Sequence, residues 1–316
     1  MSNEDKLNIA LDMCRGNTDE YQKFFKIYPF TTENLAGWMP FFDFVNKSFL
    51  TVGSSCDQAI NATYLGSKKQ TIVDINPFVR EYFYLKKAGL MALSRSEYLD
   101  FFCSFNYKRA INPNVFNKEN FKKIVPFLNE YDHNLYLFWS TIFDQYSGEC
   151  IKNNLFSGDE ERCCPIIQKM NLYLNDDNSY LQTKEKIEIL DIDFIKADIY
   201  QYNEWGNYDN ISLSNIGQYA STQEELLKYI DLVRNLEEHL NIDGAMLVMY
   251  LFGTTKNNLA PLNDPNFVAP IYNLSVTMKL FEKYNSEFYT FPSVKEFALG
   301  DTSSPDNAMI FRKKVL

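Results

Sequence analysis

The stretch at residues 47–93 reads KSFLTVGSSCDQAINATYLGSKKQTIVDINPFVREYFYLKKAGLMAL and decides the fold. Residues 49–52 form a short apolar, β-rich run that stops at Gly53, as a buried strand does before a turn. Residues 71–73 form a second such run, which ends on Asp74. The stretch therefore predicts two strands, the first followed by a glycine turn and the second by an acid.

Two predicted helices complete this stretch. Residues 57–65 carry apolar side chains at helical spacing. Pro77 suits the first turn of a longer helix over 78–93, because its fixed φ fits there and its missing N–H is not needed. In that helix we expect Tyr82 to face inward and Lys86 to face outward.

The spacing of the glycine turn and the acid is informative. About twenty residues separate Gly53 from Asp74, the distance at which nucleotide-binding βαβ units place an acid on a ribose hydroxyl. This favours a nucleoside-binding half-domain. The alternative is any doubly wound α/β domain with a tight strand–helix turn.

The turn itself, GSSCDQ at 53–58, holds one glycine where a dinucleotide site would show G-x-G-x-x-G. The missing glycines disfavour a pyrophosphate and hence a nicotinamide-dependent dehydrogenase, because they let the backbone approach the phosphates. S-adenosylmethionine has no pyrophosphate and tolerates a looser turn.

Composition and charge exclude several classes of protein. The chain has 316 residues, 46% of them hydrophobic, which is enough for one large α/β domain with an insertion. With 31 basic and 41 acidic residues the net charge is −10, and no basic stripe suggests a nucleic-acid partner. No apolar run reaches the length of a membrane span, and the polar N-terminus is unlike a signal peptide. We expect a cytoplasmic protein.

The six cysteines form no CxxC pair, which predicts a reducing compartment without a disulfide framework. The neighbouring Cys163 and Cys164 suggest redox or metal chemistry, or a chance pair under a helix. Neither His133 nor His239 lies in a cluster typical of ligands, so we expect no metal site.

The predicted fold class is α/β, a Rossmann-like doubly wound sheet. Residues 47–103 and 187–316 form this domain. Between them the alternation of strands and helices stops, and 104–186 read as an inserted helical cap. Residues 1–46 are an N-terminal helical lid over the ligand or, alternatively, a helix that covers the sheet edge.

The second half of the domain supplies the remaining elements. We predict strands at 192–197, 209–214, 244–252, 287–291 and 308–313, the last two as an antiparallel edge pair, and helices at 222–240 and 271–285.

The candidate cofactor site follows from the sheet, since ligands bind at the carboxyl ends of parallel strands. The candidate residues, in strand order, are Gly53, Ser54, Ser55, Asp57 and Gln58, then Asp74, Ile75 and Asn76, then Asp198 and Ile199, and finally Ser214 and Asn215. Asp74 suits two ribose hydroxyls, and Asp198 suits an exocyclic adenine amino group. Taken alone, each acid is better explained as a helix N-cap or a loop charge, but four polar strand ends in one register favour a site.

Two blocks, VGSSCDQAINA at 52–62 and VDINPFVREYFYLKKAGLMALSRSEYLDFF at 73–102, resemble the family of the betaine-lipid enzyme BtaA. YPFTTEN, DFIKADI and LSNI fit the same arrangement, so the resemblance covers roughly 25–103 and 187–252. These proteins are S-adenosylmethionine:diacylglycerol 3-amino-3-carboxypropyltransferases.

The resemblance implies a Rossmann-like fold of the class I methyltransferase type, a bound S-adenosylmethionine and attack at the γ-carbon of its methionine moiety. It implies Gly53 and Ser55 by that moiety, Asp74 on ribose and Asp198 on adenine. The chain lacks a basic or amphipathic membrane face, so a soluble small molecule or peptide is the expected acceptor. Methyl transfer is the alternative, and a non-catalytic nucleoside-binding protein is the second.

The sequence offers little that resembles a dedicated catalytic base. Tyr28, Tyr219 and Asp57 are the hypothetical positioning or proton-accepting groups. Tyr28 would act from the lid together with Thr31 and Asn34.

Overall fold

The computed structural model describes residues 1–17, 25–108, 110–157, 163–220, 222–252, 287–300, 302–303 and 305–314. The predicted helix at 271–285 lies outside these residues. The chain divides into two compact units. The first unit comprises Met1–Thr32, Gly53–Ile60 and Asp74–Ile189, and the second comprises Glu33–Val52, Asn61–Val73 and Leu190–Leu316. The predicted division into lid, core and cap stays a prediction.

The strands build one mixed sheet. They are β1 (Ser48–Val52), β2 (Lys69–Asp74), β3 (Asp191–Lys196), β4 (Tyr208–Ser212), β5 (Leu240–Leu251), β6 (Glu287–Phe291) and β7 (Asp306–Arg312). In the described residues the sheet has seven strands in the order β3-β2-β1-β4-β5-β7-β6. β1 pairs in parallel with β2 and β4, and β4 with β5, whereas β7 is antiparallel to β5 and β6. The Rossmann-like doubly wound sheet and the antiparallel edge pair predicted from the sequence are confirmed by this strand order and pairing.

The helices, in chain order, are α1 (Asn3–Cys14), α2 (Leu35–Trp38), α3 (Asp57–Tyr64), α4 (Val79–Ala92), α5 (Arg95–Phe102), α6 (Lys118–Tyr131), α7 (His133–Gln145), α8 (Gly148–Leu155), α9 (Cys164–Met170), α10 (Asp177–Glu188), α11 (Gln223–Glu238) and α12 (Val294–Leu299). Short 3-10 turns occur at η1 (Met39–Phe41), η2 (Leu172–Leu174) and η3 (Ile216–Tyr219).

The sheet of the second unit is covered on both faces. Along β5, Ala245 and Leu247 belong to one apolar cluster, and Met246 and Val248 belong to another. Because successive side chains of a strand point to opposite faces, the two clusters lie on opposite sides of the sheet. One is completed by α11 and the other by α2 and η1. The register shift between β5 and β7 at Leu247/Met249 accounts for the adjacent Val248 and Met249 sharing a cluster.

The first unit is helical apart from its turns. It holds α1, α4–α10 and the first residues of α3. α5 begins at a capping box, in which the Ser94 side chain accepts from the Glu97 N–H and the Glu97 carboxylate accepts from the Ser94 N–H. The S-x-x-E pattern at 94–97 is the sequence signature of such a box.

One orientation in α4 is wrong in the sequence-based expectation. Tyr82 is buried as expected, but the Lys86 side chain is also completely buried instead of facing outward. Helical periodicity assigns a lysine to the solvent face by default, since the pattern carries no information about a distant ion-pair partner.

Candidate cofactor site

The predicted ribose-binding acid, Asp74, lies against the glycine turn of the first unit. Its Oδ2 accepts a hydrogen bond from the Ser54 N–H at 2.8 Å, and its Oδ1 accepts from the Asn76 N–H at 2.8 Å. Burial raises the pKa of the Asp74 carboxyl above its ordinary value, and the backbone N–H donors around it act in the opposite direction. The structure thus brings four predicted site residues, Gly53, Ser54, Asp74 and Asn76, into one small loop cluster.

Gly53 is required by close packing. A Cβ on this residue would lie 2.4 Å from Val79 Cγ1 and 2.9 Å from Asp74 Oδ2. The turn closes tightly after it, with the Cys56 N–H donating to the Gly53 carbonyl at 2.6 Å and with positive φ at Ser54 (43°) and Cys56 (64°). Only one glycine is needed because non-glycine residues adopt the left-handed conformations here.

Asp57, a predicted catalytic and cofactor-binding residue, points into the interior of the first unit. Its Oδ1 accepts from Lys86 Nζ at 2.6 Å and from Tyr173 Oη at 2.8 Å. Its Oδ2 accepts from the Thr31 N–H at 2.6 Å and from Ser55 Oγ at 3.0 Å. With no exposed surface and both oxygens engaged, Asp57 is placed as a structural anion, which disfavours the hypothesis that it takes a proton from a substrate.

Lys86 is held by charge and by aromatic faces. Its Nζ lies 4.5 Å from the centroid of the Phe30 ring and 5.2 Å from that of Tyr82. Burial lowers the pKa of Lys86, while the charge and hydrogen bond of Asp57 act to raise it. The rings and the carboxylate offset part of the cost of burying the ammonium.

The other candidates in the first unit differ in exposure. Ile75, next to Asp74, is 44% exposed, whereas Gln58 is buried. Asn76 is a local cap, since its Oδ1 accepts from the Phe78 N–H at 2.9 Å. Tyr28 is half-buried.

In the second unit, Ser214 follows β4 with a positive φ of 55° and is buried. Its Oγ donates to the Glu33 carboxylate, and its carbonyl accepts from the Tyr250 N–H at 2.9 Å. Asn215 is half-buried and precedes η3, in which Tyr219 is 67% exposed. Ser214 is therefore part of a buried polar network, and Tyr219 is accessible.

This network contains residues that the sequence does not single out as a cluster. Tyr250 Oη accepts from the Asn34 N–H at 2.8 Å and donates to the Asp306 carboxylate. Burial, with the Asp306 charge, raises the pKa of Tyr250 well above its ordinary value. Asn34 caps α2, because its Oδ1 accepts from the Gly37 N–H at 3.0 Å. The polar TTEN segment at 31–34, set among aromatic residues, is the only sequence signal for it.

Asp198, the predicted adenine-binding acid, is half-buried in the second unit. Its Oδ1 accepts from the Tyr200 N–H at 3.0 Å and its Oδ2 from Gln201 Nε2 at 3.1 Å. It thus makes the contacts of a local cap, the alternative weighed above, while Ile199 beside it is buried. Its role in adenine binding stays a prediction.

The cysteines are free thiols throughout. Within the described ranges no group of three or more His, Cys, Asp or Glu side chains is arranged to hold a metal ion. No helix of the described chain combines the length and the apolar character needed to cross a membrane.

Comparisons with known proteins add structural likenesses at low similarity. No family model and no curated protein matches this sequence. The N-methyltransferase NodS from Bradyrhizobium japonicum is 10% identical over 89% of this chain and 93% of its own, with a TM-score of 0.36. An S-adenosylmethionine-dependent methyltransferase described as putative, from Listeria monocytogenes, is 9% identical over 86% and 93%, with a TM-score of 0.36. Human N-acetylserotonin methyltransferase, solved with S-adenosylmethionine, is 10% identical over 99% of this chain and 57% of its own, with a TM-score of 0.35. Likenesses of this size identify neither a substrate nor a reaction for this chain.

Proposed function

We propose that this protein is an S-adenosylmethionine-dependent transferase that binds its co-substrate where the Asp74 carboxylate lies against the glycine turn at residues 53–56. The observation that carries the proposal is the Asp74 carboxylate, which stands at the end of β2 and is held against the backbone of Ser54 at 2.8 Å. In doubly wound sheets this is where an acid receives the hydroxyls of a ribose.

The residues of the turn fit a sulfonium nucleoside. Asp74 is half-buried and is fixed at the turn by hydrogen bonds from the Ser54 and Asn76 N–H groups, which holds its partly exposed carboxylate where ribose hydroxyls would donate to it. The exposed side chain of Ile75 offers an apolar contact beside it for the adenine ring. The single glycine fits a ligand without pyrophosphate, for which the backbone need not approach phosphate groups.

S-adenosylmethionine, when bound, supplies a sulfonium whose three attached carbons are electrophilic. Which group is transferred depends on which carbon faces the acceptor, so the chain contributes by positioning. Methyl transfer comes first, because it is the reaction after which this fold class is named. Aminocarboxypropyl transfer comes second and is supported by the DIN-P pattern at 74–77 and the residues that follow it.

We assign the positioning of the acceptor to Tyr28 and Tyr219, because Asp57 is enclosed. Tyr219 is largely exposed and Tyr28 is half-buried. The sulfonium leaves as a neutral thioether and needs no acid, so what remains is to orient the acceptor, from which a tyrosine hydroxyl can accept a hydrogen bond, and to release the acceptor's proton to water. Tyr28→Phe and Tyr219→Phe should each reduce turnover of the active acceptor; full turnover by both variants would refute this assignment.

The deciding experiment is mass spectrometry of the nucleosides formed when the purified protein meets S-adenosylmethionine and a fractionated pool of soluble small molecules and peptides. S-adenosylhomocysteine above the uncatalysed background supports methyl transfer. Methylthioadenosine supports aminocarboxypropyl transfer and a product heavier by that group. Binding of S-adenosylmethionine without either product would support the non-catalytic alternative, and absence of binding by calorimetry would refute the proposal.

A further inference from the structure

We propose that Lys86 and Tyr173 are positioning residues for the cofactor turn and that they act through Asp57. The proposal deepens the S-adenosylmethionine site proposed above and rests on it. It is carried by one buried carboxylate that joins four separate segments of the first unit.

The four segments meet at Asp57 within hydrogen-bond distance. The lid segment contributes the Thr31 N–H at 2.6 Å, and the turn contributes Ser55 Oγ at 3.0 Å. Lys86 Nζ of α4 lies at 2.6 Å and Tyr173 Oη of η2 at 2.8 Å. Ser55 Oγ also accepts from the Asp57 N–H at 3.3 Å, so the Ser55 side chain is bonded to both the backbone and the carboxylate of Asp57.

The position of this carboxylate sets the geometry of the turn. Asp57 begins α3 directly after residues 53–56, whose backbone is closed by the Cys56 N–H to Gly53 carbonyl bond of 2.6 Å. The same backbone presents the Ser54 N–H to Asp74. Movement of Asp57 therefore moves the segment that holds the proposed ribose-binding acid, without any direct contact between Lys86 or Tyr173 and the ligand.

The charge pair resists such movement. Both side chains have no exposed surface, so separating them would leave an uncompensated buried charge. Tyr173 adds a hydrogen bond from a region predicted to be the cap, 116 positions away in sequence. Cap residues thereby determine where the cofactor turn lies.

Tyr173→Phe is the central variant, and Tyr180→Phe is its matched control. Both tyrosines are buried in the first unit, but Tyr180 Oη donates to the Leu93 carbonyl at 3.2 Å, away from the turn. Each variant deletes one buried hydroxyl and should lower the Tm similarly. Only Tyr173→Phe should raise the Kd for S-adenosylmethionine, by about threefold to tenfold, because the lost hydrogen bond acts on the ligand only indirectly, through the position of Asp57.

Lys86→Met gives the larger effect, with Lys6→Met as its control. Lys6 forms another ion pair of the first unit, 2.7 Å from Glu81, and its side chain makes no hydrogen bond or ion pair with Asp57 in the described part of the chain. Lys86→Met should raise the Kd more than tenfold, and Lys6→Met should leave it unchanged. If Lys86→Met does not fold, the comparison of Tyr173→Phe with Tyr180→Phe still tests the positioning role.

A second readout does not depend on the ligand. The Cys56 thiol lies in the turn and is 1% exposed. Its alkylation by iodoacetamide, followed by mass spectrometry, should accelerate in Tyr173→Phe relative to Tyr180→Phe, while the buried Cys103 of the same molecule reports any global opening.

The outcomes separate the two proposals. If the wild-type protein binds no S-adenosylmethionine, the proposed function fails, and the Cys56 rates still test the positioning role. If Tyr173→Phe matches Tyr180→Phe in both Kd and Cys56 alkylation, Tyr173 and Asp57 are only structural and the positioning proposal is overturned.

Discussion

The carboxylate of Asp74 and the backbone N–H of Ser54 form a 2.8 Å hydrogen bond that links the end of β2 to the glycine turn. Two segments 20 positions apart in sequence thereby share one polar contact. The proposed ribose contact and the shape of the turn consequently depend on the same side chain.

Replacing Asp74 tests whether its carboxylate contributes to the affinity for S-adenosylmethionine. Asp74→Ala is expected to weaken S-adenosylmethionine binding by ~1–3 kcal/mol, because it removes a charged acceptor from a half-buried site. Isothermal titration calorimetry of wild type and variant measures the change. Asp132→Ala is the control, since Asp132 caps α7 and pairs with Arg80 at 2.8 Å in the same unit and should affect only the Tm. Unchanged affinity in Asp74→Ala would remove the nucleoside-binding role from this residue.

The same carboxylate predicts a pH dependence of binding. Burial raises the pKa of Asp74 above its ordinary 3.8. Ribose hydroxyls donate to the charged form, so affinity should be full above the raised pKa and fall as the pH drops through it. Titrations of Kd against pH should show the dependence in wild type and lose it in Asp74→Asn.

The free energy of unfolding of the ligand-free protein should change in the opposite direction. The carboxyl of the unfolded chain loses its proton at a lower pH than that of the folded chain, so the Asp74 contribution to stability falls as the pH rises from 3.8 to the raised value.

The alternation of strands and helices was predictable because each apolar run is continuous in sequence. β1, β2, β6 and the capping box of α5 follow from neighbours a few residues apart. The buried polar networks could not be found that way. Asp57 meets Tyr173 across 116 positions, and Glu33 meets Ser214 across 181. Such pairs leave no local periodicity. From the sequence alone Lys86 is therefore predicted to be a surface residue and Asp57 a site residue, and only the packing of the first unit shows that they pair.

Gly53 predicts a steric effect that can be rescued. Gly53→Ala would place a Cβ 2.4 Å from Val79 Cγ1, so we expect destabilisation of about 1–3 kcal/mol from overpacking, together with weaker cofactor binding. Gly206→Ala is the control, because its nearest neighbour would lie 3.7 Å away. Adding Val79→Ala to Gly53→Ala should recover part of the stability measured by urea unfolding. Equal unfolding midpoints for wild type and Gly53→Ala would show that the turn has room that its packing does not suggest.

The ion pair of Glu97 with Lys123 predicts an acid limb of stability that is independent of the cofactor. Glu97 accepts from Lys123 Nζ at 2.5 Å and from the Ser94 N–H at 2.9 Å, and these bonds, Lys123 first, lower its pKa from 4.5 to about 2.

Because the folded pKa lies below the unfolded value, the stabilisation is complete above pH 4.5 and is lost as the pH falls towards 2. The side chain is 39% exposed, so the whole effect of Glu97→Gln at pH 6 should be modest, about 0.5–1 kcal/mol. Urea unfolding at pH 6 and pH 3 should show that the difference in the free energy of unfolding between wild type and Glu97→Gln becomes smaller at the lower pH. Glu119→Gln breaks an ion pair with Lys122 in which the Glu119 side chain is 85% exposed. Its free energy of unfolding should differ little from that of wild type at either pH. If the difference for Glu97→Gln is as large at pH 3 as at pH 6, the capping geometry, and not the carboxylate charge, stabilises α5.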